Sequence, residues 1–251
     1  IYFAGWAEDE DDRKLSMLIK DIDGQASEPG KAPVVFSLEN MSMKGLDLEY
    51  YDNMLANNLA GMNPFEPQVQ SVSIDNFNVK GDSFFMGMPM LKSWYSEKKN
   101  GKFFSRTEMP SMKFGFEGEP EAAGLNEFKS TLAELGYEHI ELSMDGKTLF
   151  DEKADLADVE KAQLSMKDGF DFNMDYKISG LKDMMDKMGE AMDTIDYTDE
   201  SSVDDATNEL IFSALKALNL HNLSFEFDDN SILDKSFNLA ASKQGVGTDL
   251  I

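Results

Sequence analysis

The sequence predicts an α+β fold: a large antiparallel β-sheet, a meander of amphipathic strands, covered by several amphipathic helices. The main observation is that apolar and polar residues alternate along many short segments, which is the period-two pattern of half-buried strands. This alternation is found in residues 41–50, 69–79, 137–144, 170–178 and 220–227. Strands with one apolar side build a sheet with one apolar surface, which must be covered by helices, by another sheet or by a ligand.

Amphipathic segments between these strands predict the covering helices. Apolar residues recur there at spacings of three and four, as on one side of a helix. The predicted helices span residues 125–135, 181–192, 203–219 and 231–243. Gly136 and Gly245 stand where the first and the last of these helices should end.

The N-terminal half is predicted from shorter patterns. Residues 13–20 predict a strand or a short helix, and a polar segment with Pro and Gly predicts a loop over residues 21–33. Pro89 predicts the start of a helix over residues 90–98, because proline favours the first turn of a helix. The other elements predicted here are strands over 34–38, 103–104 and 111–116, a helix over 51–59, and a tight turn at Asn100-Gly101.

The C-terminal half predicts a more regular meander. The strand over residues 137–144 leads into Asp145-Gly146, a pair typical of hairpin turns, and a second strand follows over 147–159. Residues 162–166 and 170–178 predict two more strands on either side of an Asp168-Gly169 turn. Asp228-Asp229-Asn230 predicts a turn that caps the last helix.

Composition argues against several functional classes. The chain has 251 residues, and 48 Asp and Glu against 23 Lys and Arg give a formal charge of −25. This balance argues against nucleic acid and anionic lipid surfaces as direct partners, because both need a basic face. The absence of Cys excludes thiol nucleophiles, disulfides, iron–sulfur clusters and thiolate zinc, and favours an exported protein.

The length predicts one or two domains. A soft boundary is predicted near residues 117–123, where Glu117-Gly118-Glu119-Pro120 interrupts the strand pattern. It would separate a β-rich half over residues 13–120 from the meander and its helices over residues 121–251. A single domain across both parts is the alternative.

Residues 1–12 combine an apolar heptapeptide, Ile1 to Ala7, with a run of five acidic residues. No initiator Met is present, so we do not expect Ile1 to be the first residue of the gene product. Tyr and Trp favour the membrane–water interface, and the segment therefore predicts the outer end of a signal or anchor helix followed by an acidic linker. A short edge strand is the alternative.

The segment from Leu135 to Leu142, with the meander that continues to Leu181 and the tail from Leu220 to Gly245, resembles uncharacterised envelope proteins of Gram-negative bacteria. It is also similar to AsmA-like lipid-transfer proteins, which have repeated amphipathic strands behind an N-terminal anchor. The resemblance covers about half of the chain and carries no catalytic residues. It implies a periplasmic location, an anchor in the inner membrane, and contact with lipid or with envelope assembly. The heavy acidity and the helix content depart from that pattern.

These observations predict a non-catalytic envelope protein that binds lipid or another hydrophobic ligand in an apolar groove. Met and Phe are both abundant, at 17 and 18 residues, and Met is typical of surfaces that accept varied apolar partners. The candidate groove residues are Phe84, Phe85, Met86, Met88, Met184, Met185 and Met188. The alternative is an acidic scaffold or accessory subunit that docks a basic partner protein, and a hydrolase using carboxylates is the residual hypothesis.

No motif identifies a catalytic residue or a cofactor. His139 and His221 lie in predicted strands, and neither has a second His at ligand spacing. Nucleophile-elbow and phosphate-loop motifs are absent from the sequence. Calcium prefers clustered oxygen ligands, so it is the one cofactor hypothesis. Its candidate ligands are Asp21, Asp23, Asp228 and Asp229.

Overall fold

The computed structural model describes residues 2–3, 7–9, 14–27, 33–48, 63–81, 83–120, 123–192, 212 and 215–245. Its strands are β1 (Tyr2–Phe3), β2 (Ala7–Asp9), β3 (Lys14–Ala26), β4 (Val34–Asp47), β5 (Ser71–Lys80), β6 (Phe84–Tyr95), β7 (Lys102–Phe116), β8 (His139–Asp151), β9 (Leu156–Met166), β10 (Phe170–Ser179) and β11 (Asn219–Asp229). Its described helices are α1 (Ala123–Glu134), α2 (Leu181–Met192) and α3 (Ile232–Gln244).

All of these strands belong to one antiparallel sheet. From β3 to β11 each strand pairs with the next one along the chain, and the short strands β1 and β2 both pair with β3. The prediction of a large antiparallel meander is therefore confirmed. The prediction that several helices cover the sheet is overstated, because the protein is mostly β-structure with few helices.

Turn residues that the sequence identifies have the expected backbone. Asn100 and Gly101 have φ values of 57° and 82°, and Lys99 and Lys102 exchange two backbone hydrogen bonds around them. Asp168 has a φ of 56° between β9 and β10, and Gly136 follows α1 with a φ of 76°. The positive φ values of both Asn100 and Gly101 are the geometry of a type I′ turn, which an Asn-Gly pair favours.

Three segments predicted as helix, turn or loop are wholly or partly strand, so these predictions are wrong. Residues 90–98 are not a helix, since β6 continues through Pro89 to Tyr95. Asp145-Gly146 is not a turn, since both residues lie inside β8. The loop predicted over residues 21–33 begins later, because β3 extends to Ala26. In each case, pairing with a neighbouring strand outweighs a local preference for turn, loop or helix.

Pro89 is tolerated in β6 because it lies where the ladder is interrupted. Met88 pairs with Phe77 and Met90 pairs with Asp75, whereas Pro89 pairs with no residue of β5. Proline cannot donate a ladder hydrogen bond, so it is confined to such positions in a sheet.

The strand predicted over residues 147–159 is wrong, because a turn at residues 152–155 ends β8 at Asp151 and β9 begins at Leu156. Several other C-terminal elements lie close to their predicted bounds. Helix α2 spans the predicted residues 181–192, and α1 and α3 each differ from prediction by one or two residues at an end. Strand β10 also follows the predicted alternation. The helix predicted over 51–59 and most of that over 203–219 lie outside the described residues.

The predicted domain boundary near residues 117–123 falls between β7 and β8. These two strands pair along most of their length, from Lys102 with Asp151 to Gly115 with His139, so one sheet continues across it. At the chain start, Tyr2–Phe3 and Ala7–Asp9 are short strands beside β3, and the rest of residues 1–12 lies outside the described residues.

Packing is tightest at the two ends of the strands. At one end, Leu132 of α1 packs with Tyr137 and Met166, and Ile232 of α3 joins this cluster. At the other end, the ring of Phe65 is fully buried and meets Phe150 edge to face. Phe150 in turn stacks on Phe103 with 4.7 Å between ring centroids.

Candidate functional site: the apolar face of the sheet

One face of the sheet is apolar from β3 to β11, and we call it the apolar face. Its continuity follows from the strand register, because residues directly opposite each other in an antiparallel pair lie on the same face. One row across β11 to β7 consists of Phe227, Phe172, Leu164, Met144 and Met109. A second row across β6 to β3 consists of Leu91, Ile74, Met41 and Ile19.

The alternation of apolar and polar residues shifts by one residue at a point within several strands. The backbone shifts at the same point, so apolar side chains on both sides of it lie on the same face. In β5, Ile74 and Phe77 both lie on the apolar face although three positions separate them. Asn76, between them, has a φ of 50°, and Asp21 in β3 has a φ of 51°. Such a kink adds one residue, whose side chain lies on the opposite face of the sheet. Asn76 donates a hydrogen bond to Glu39 on that face. In β11, His221 is also an extra residue, opposite the step from Lys177 to Ile178 in β10. Leu220 and Leu223 therefore lie on the same face of the sheet although three positions separate them.

Several side chains in the middle and at the β11 side of this face are open to solvent. Met144 is 37% exposed, Leu164 38% and Phe225 71%. Most of their neighbours on the face are half-buried. Monomeric proteins rarely expose large contiguous apolar patches, and those that do use them for binding.

A group of short side chains lies within the apolar face, and we call it the small-residue floor. It consists of Ser93, Ser105, Thr107, Gly146, Thr148 and Ala162 on β6 to β9, at paired or adjacent register positions. The Ser93 and Thr107 hydroxyls are 3.0 Å apart and hydrogen-bonded. Along the strands, the Tyr95–Phe103–Phe150 aromatic cluster borders the floor on one side, and Met109, Met144 and Leu164 border it on the other. The floor therefore combines short side chains and hydroxyl groups, and larger apolar groups lie on either side of it along the strands.

The candidate groove residues do not form one group. Phe84, Met86 and Met88 lie on the apolar face, at the strand ends near α1. Phe85 lies on the opposite face, apart from these three residues. The methionines of α2, at positions 184, 185 and 188, are half-buried, and that helix begins at the other end of the strands, after Ser179. Sequence reasoning missed the small-residue floor, because short residues carry no hydropathy signal.

The opposite face, the polar face, is held by cross-strand ion pairs. The Asp145 carboxylate accepts from Arg106 at 3.0 Å and from Lys161 at 2.7 Å, linking β7, β8 and β9. Glu141 accepts from the Ser111 hydroxyl at 2.9 Å and lies 3.4 Å from the Lys113 ammonium. These contacts, with that hydrogen bond first, hold the pKa of the Glu141 carboxyl below its ordinary value.

A depression of about 470 Å³ opens on the polar face near the end of β7 to β10. The apolar residues in its lining are Phe103, Phe104, Leu149, Phe150 and Leu156. The Lys102–Asp151 and Lys177–Asp158 ion pairs, at 2.9 and 2.6 Å, flank it. Because these charges neutralise each other, the depression offers apolar contact rather than a free charge.

The calcium candidates do not assemble a site. Asp229 Oδ1 accepts the backbone N–H groups of Ser231 and Leu233, so this carboxylate caps α3, as the predicted turn requires. Asp228 is in β11, whereas Asp21 and Asp23 are in β3, many strands away. Within the described part of the chain, no group of three or more Asp, Glu or His residues is arranged to hold a metal ion.

The two histidines lie at separate places. His221 Nε2 is 2.7 Å from the Ser179 hydroxyl on the exposed edge of the sheet. His139 is half-buried in β8 opposite Gly115. The two side chains share no site.

None of the described helices is long and apolar enough to cross a membrane. A family model that is described only as an uncharacterized protein matches residues 163–250, which include β10, α2, β11 and α3. No curated protein and no solved structure shows significant similarity to the chain.

Proposed function

We propose that this protein binds a lipid acyl chain, or another elongated hydrophobic ligand, on the apolar face of its sheet. The observation that carries this proposal is the two rows of paired apolar side chains, one across β11 to β7 and one across β6 to β3. Met144, Leu164 and Phe225 on this face are exposed to solvent. Covering these side chains would release about 25 cal/mol for each Å² of apolar surface removed from water.

The small-residue floor gives the ligand a place to lie. Larger side chains border the floor along the strands, and the polar groups within it are the hydroxyls of Ser93, Ser105, Thr107 and Thr148. Ligand sites in proteins are typically apolar with a few placed polar groups, which orient the ligand. Methionines on the border suit a ligand of variable shape, because their side chains are flexible and polarisable.

The first test is native mass spectrometry, with lipid extraction, of the protein purified from its own source. We expect a co-purifying lipid of defined mass. A defined site is then tested with a fluorescent fatty acid as probe and oleate as competitor. We expect saturable binding of the probe and its displacement by oleate.

A matched pair of charge substitutions locates the site. Leu164→Asp places a carboxylate on the apolar face, and Val35→Asp places one on the polar face, at residues that are 38% and 47% exposed. Both should fold, because both side chains already contact water. Leu164→Asp should weaken probe binding about tenfold or more, since the ligand would desolvate the carboxylate, and Val35→Asp should leave binding unchanged. Equal affinities of the two variants would contradict the proposal.

Gly146→Leu tests whether the ligand lies on the small-residue floor. A Cβ added at Gly146 meets no atom closer than 3.9 Å, so the fold has room for a side chain there. The new leucine should fill the floor and reduce affinity while keeping the face apolar. Unchanged affinity would move the ligand elsewhere on the apolar face.

A further inference from the structure

Strand β11 is an exposed edge of the sheet. All eleven of its residues are exposed, and in the described structure it has a neighbouring strand, β10, on one side only. At the opposite edge, the outer side of β3 is partly covered by β1 and β2. An open edge presents unpaired backbone N–H and C=O groups, which can pair with another extended chain.

The backbone groups that point outward belong to apolar residues. The Asn230 N–H donates to the Gly169 carbonyl, which sets the hydrogen-bonding phase between β11 and β10. Backbone groups alternate in direction along an antiparallel strand. Leu223, Phe225 and Phe227 therefore direct their N–H and C=O groups to the open edge. Their side chains lie on the apolar face and are 52%, 71% and 46% exposed.

The polar side of this edge is acidic. Glu226 and Asp228 lie on β11, opposite Asn173 and Asp171 of β10. Asp171 and Asp175 accept hydrogen bonds from the Asn230 and Asn222 amides, which carry no charge. Among the described residues, no Lys or Arg forms an ion pair with Glu226 or Asp228. β11 itself contains no Lys or Arg.

We infer that β11 is a docking edge for an extended segment of a partner protein in which apolar residues alternate with Lys or Arg. Added as an antiparallel strand, such a segment would pair with the outward backbone groups and extend the apolar face with its apolar residues. Its basic residues would fall on the other face, beside Glu226 and Asp228. A second copy of this chain fits less well, because its β11 would bring more carboxylates and no cation to the same place.

The test uses fluorescence anisotropy with labelled ten-residue peptides and the full chain. The first peptide alternates Lys with Val and Phe, and a second has the same composition with the apolar residues in one block. The alternating peptide should bind, and the block peptide should not. Methylation of the peptide's backbone nitrogens at every second residue, on the side facing β11, should abolish binding.

Two variants of one residue separate backbone pairing from side-chain contact. Leu223→Pro removes an N–H that points to the open edge and leaves the hydrogen bonds to β10 in place. Leu223→Ala removes the same side chain but keeps the N–H. Circular dichroism should show both folded, and Leu223→Pro should lose about tenfold more affinity than Leu223→Ala. Equal affinities would overturn strand addition.

A charge swap tests the partner's chemistry. The double variant Glu226→Lys, Asp228→Lys should lose the Lys peptide and gain a peptide with Glu in place of Lys. A monomeric protein that binds none of these peptides would overturn the inference and leave the acids as a guard against edge pairing. Dimers in sedimentation that Leu223→Pro dissociates would assign the edge to a second copy and would also overturn it. This inference does not depend on ligand binding, since the fatty-acid probe reports on Leu164 and the peptides report on β11.

Discussion

Glu141 lies where a hydroxyl and two ammonium groups meet on the polar face. The Ser111 hydroxyl donates to it at 2.9 Å, and Lys113 and Lys167 lie at 3.4 and 3.6 Å. The pKa of the carboxyl is lowered from its ordinary 4.5 by the Ser111 hydrogen bond first, while desolvation opposes the shift. A lowered pKa stabilises the fold above the unfolded-state pKa, and that contribution is lost as the pH falls through the folded-state pKa.

Ser111→Ala should therefore destabilise the protein in a pH-dependent way. At pH 7 we expect a loss of about 1 kcal/mol in the free energy of unfolding, because a hydrogen bond to a charged group is removed. The difference should shrink as the pH is lowered towards 2, because the carboxyl loses its charge as the pH falls through its folded-state pKa. Urea unfolding at both pH values measures this, and an NMR titration should show a higher Glu141 pKa in the variant. A loss that is equal at both pH values would mean that the serine acts by packing.

At the scale of residues, the sequence predicts what two neighbouring residues decide by themselves. The turns at Asn100-Gly101 and Asp168-Gly169 form because Asn100, Gly101 and Asp168 adopt positive φ at low cost. The face of Phe85 could not be predicted in the same way. Its face depends on kinks elsewhere in the sheet, at Asn76 and around Pro89, where the alternation changes phase.

At the scale of elements, the junction between β10 and α2 depends on one glycine. Gly180 has a φ of 89°, and a Cβ at this position would lie 2.1 Å from the Ala217 carbonyl oxygen. Gly180→Ala should cost at least ~2 kcal/mol in the free energy of unfolding, from backbone strain and displacement of the Ala217 segment. Gly124→Ala in α1 is the control, because a Cβ there meets nothing within 4 Å.

Thermal unfolding of the two variants measures the difference. Gly124→Ala should leave the stability unchanged or raise it by up to ~1 kcal/mol, since alanine favours a helix. Similar melting temperatures for the two variants would show that the segment around Ala217 moves aside at little cost.

The wrong element predictions share one cause. Residues 90–98 place Leu91, Trp94 and Tyr95 at helical spacing after a proline, yet they form a strand that pairs with β5 and β7. Asp145-Gly146 has the composition of a hairpin turn, but Asp145 binds Arg106 and Lys161, and Gly146 lies on the small-residue floor. The structure of both segments depends on partners that are distant in the sequence, and a local sequence pattern carries no information about such partners. Helix α2 was predictable because its pattern is long and periodic.

For the whole molecule, the sequence predicts the apolar surface but not its form. Alternation in each strand requires one apolar face, and the sheet has it from β3 to β11. Most strands are followed directly by another strand, and few are followed by a helix that could pack on this face. The prediction from amphipathic helical segments therefore overstated how much of the sheet helices cover. The Met and Phe residues identified as one groove are divided between the strand ends near α1 and the helix at the other end, because each was chosen by composition.

The charge of −25 acts on the whole molecule, and it makes the salt dependence of stability a test of its electrostatics. Excess negative charge repels itself more strongly in the compact state than in the unfolded chain. The cross-strand ion pairs on the polar face oppose this effect, but exposed pairs contribute only about 0.2 to 1 kcal/mol each. Salt weakens both, since the Debye length falls to about 10 Å at 0.1 M and 3 Å at 1 M.

We expect repulsion to dominate, so that the urea midpoint rises when NaCl is increased from about 20 to 500 mM, beyond which screening adds little. Choline chloride should give the same rise, because screening does not depend on the cation, and chelator-treated buffers should exclude divalent ions as its cause. A midpoint that falls with salt would show that pairs such as Arg106–Asp145 and Lys177–Asp158 outweigh the net charge. A rise with NaCl but not with choline chloride would show binding of the sodium ion. The sign of the slope thus measures whether the ordered ion pairs of the polar face or the total charge of the chain governs its electrostatic stability.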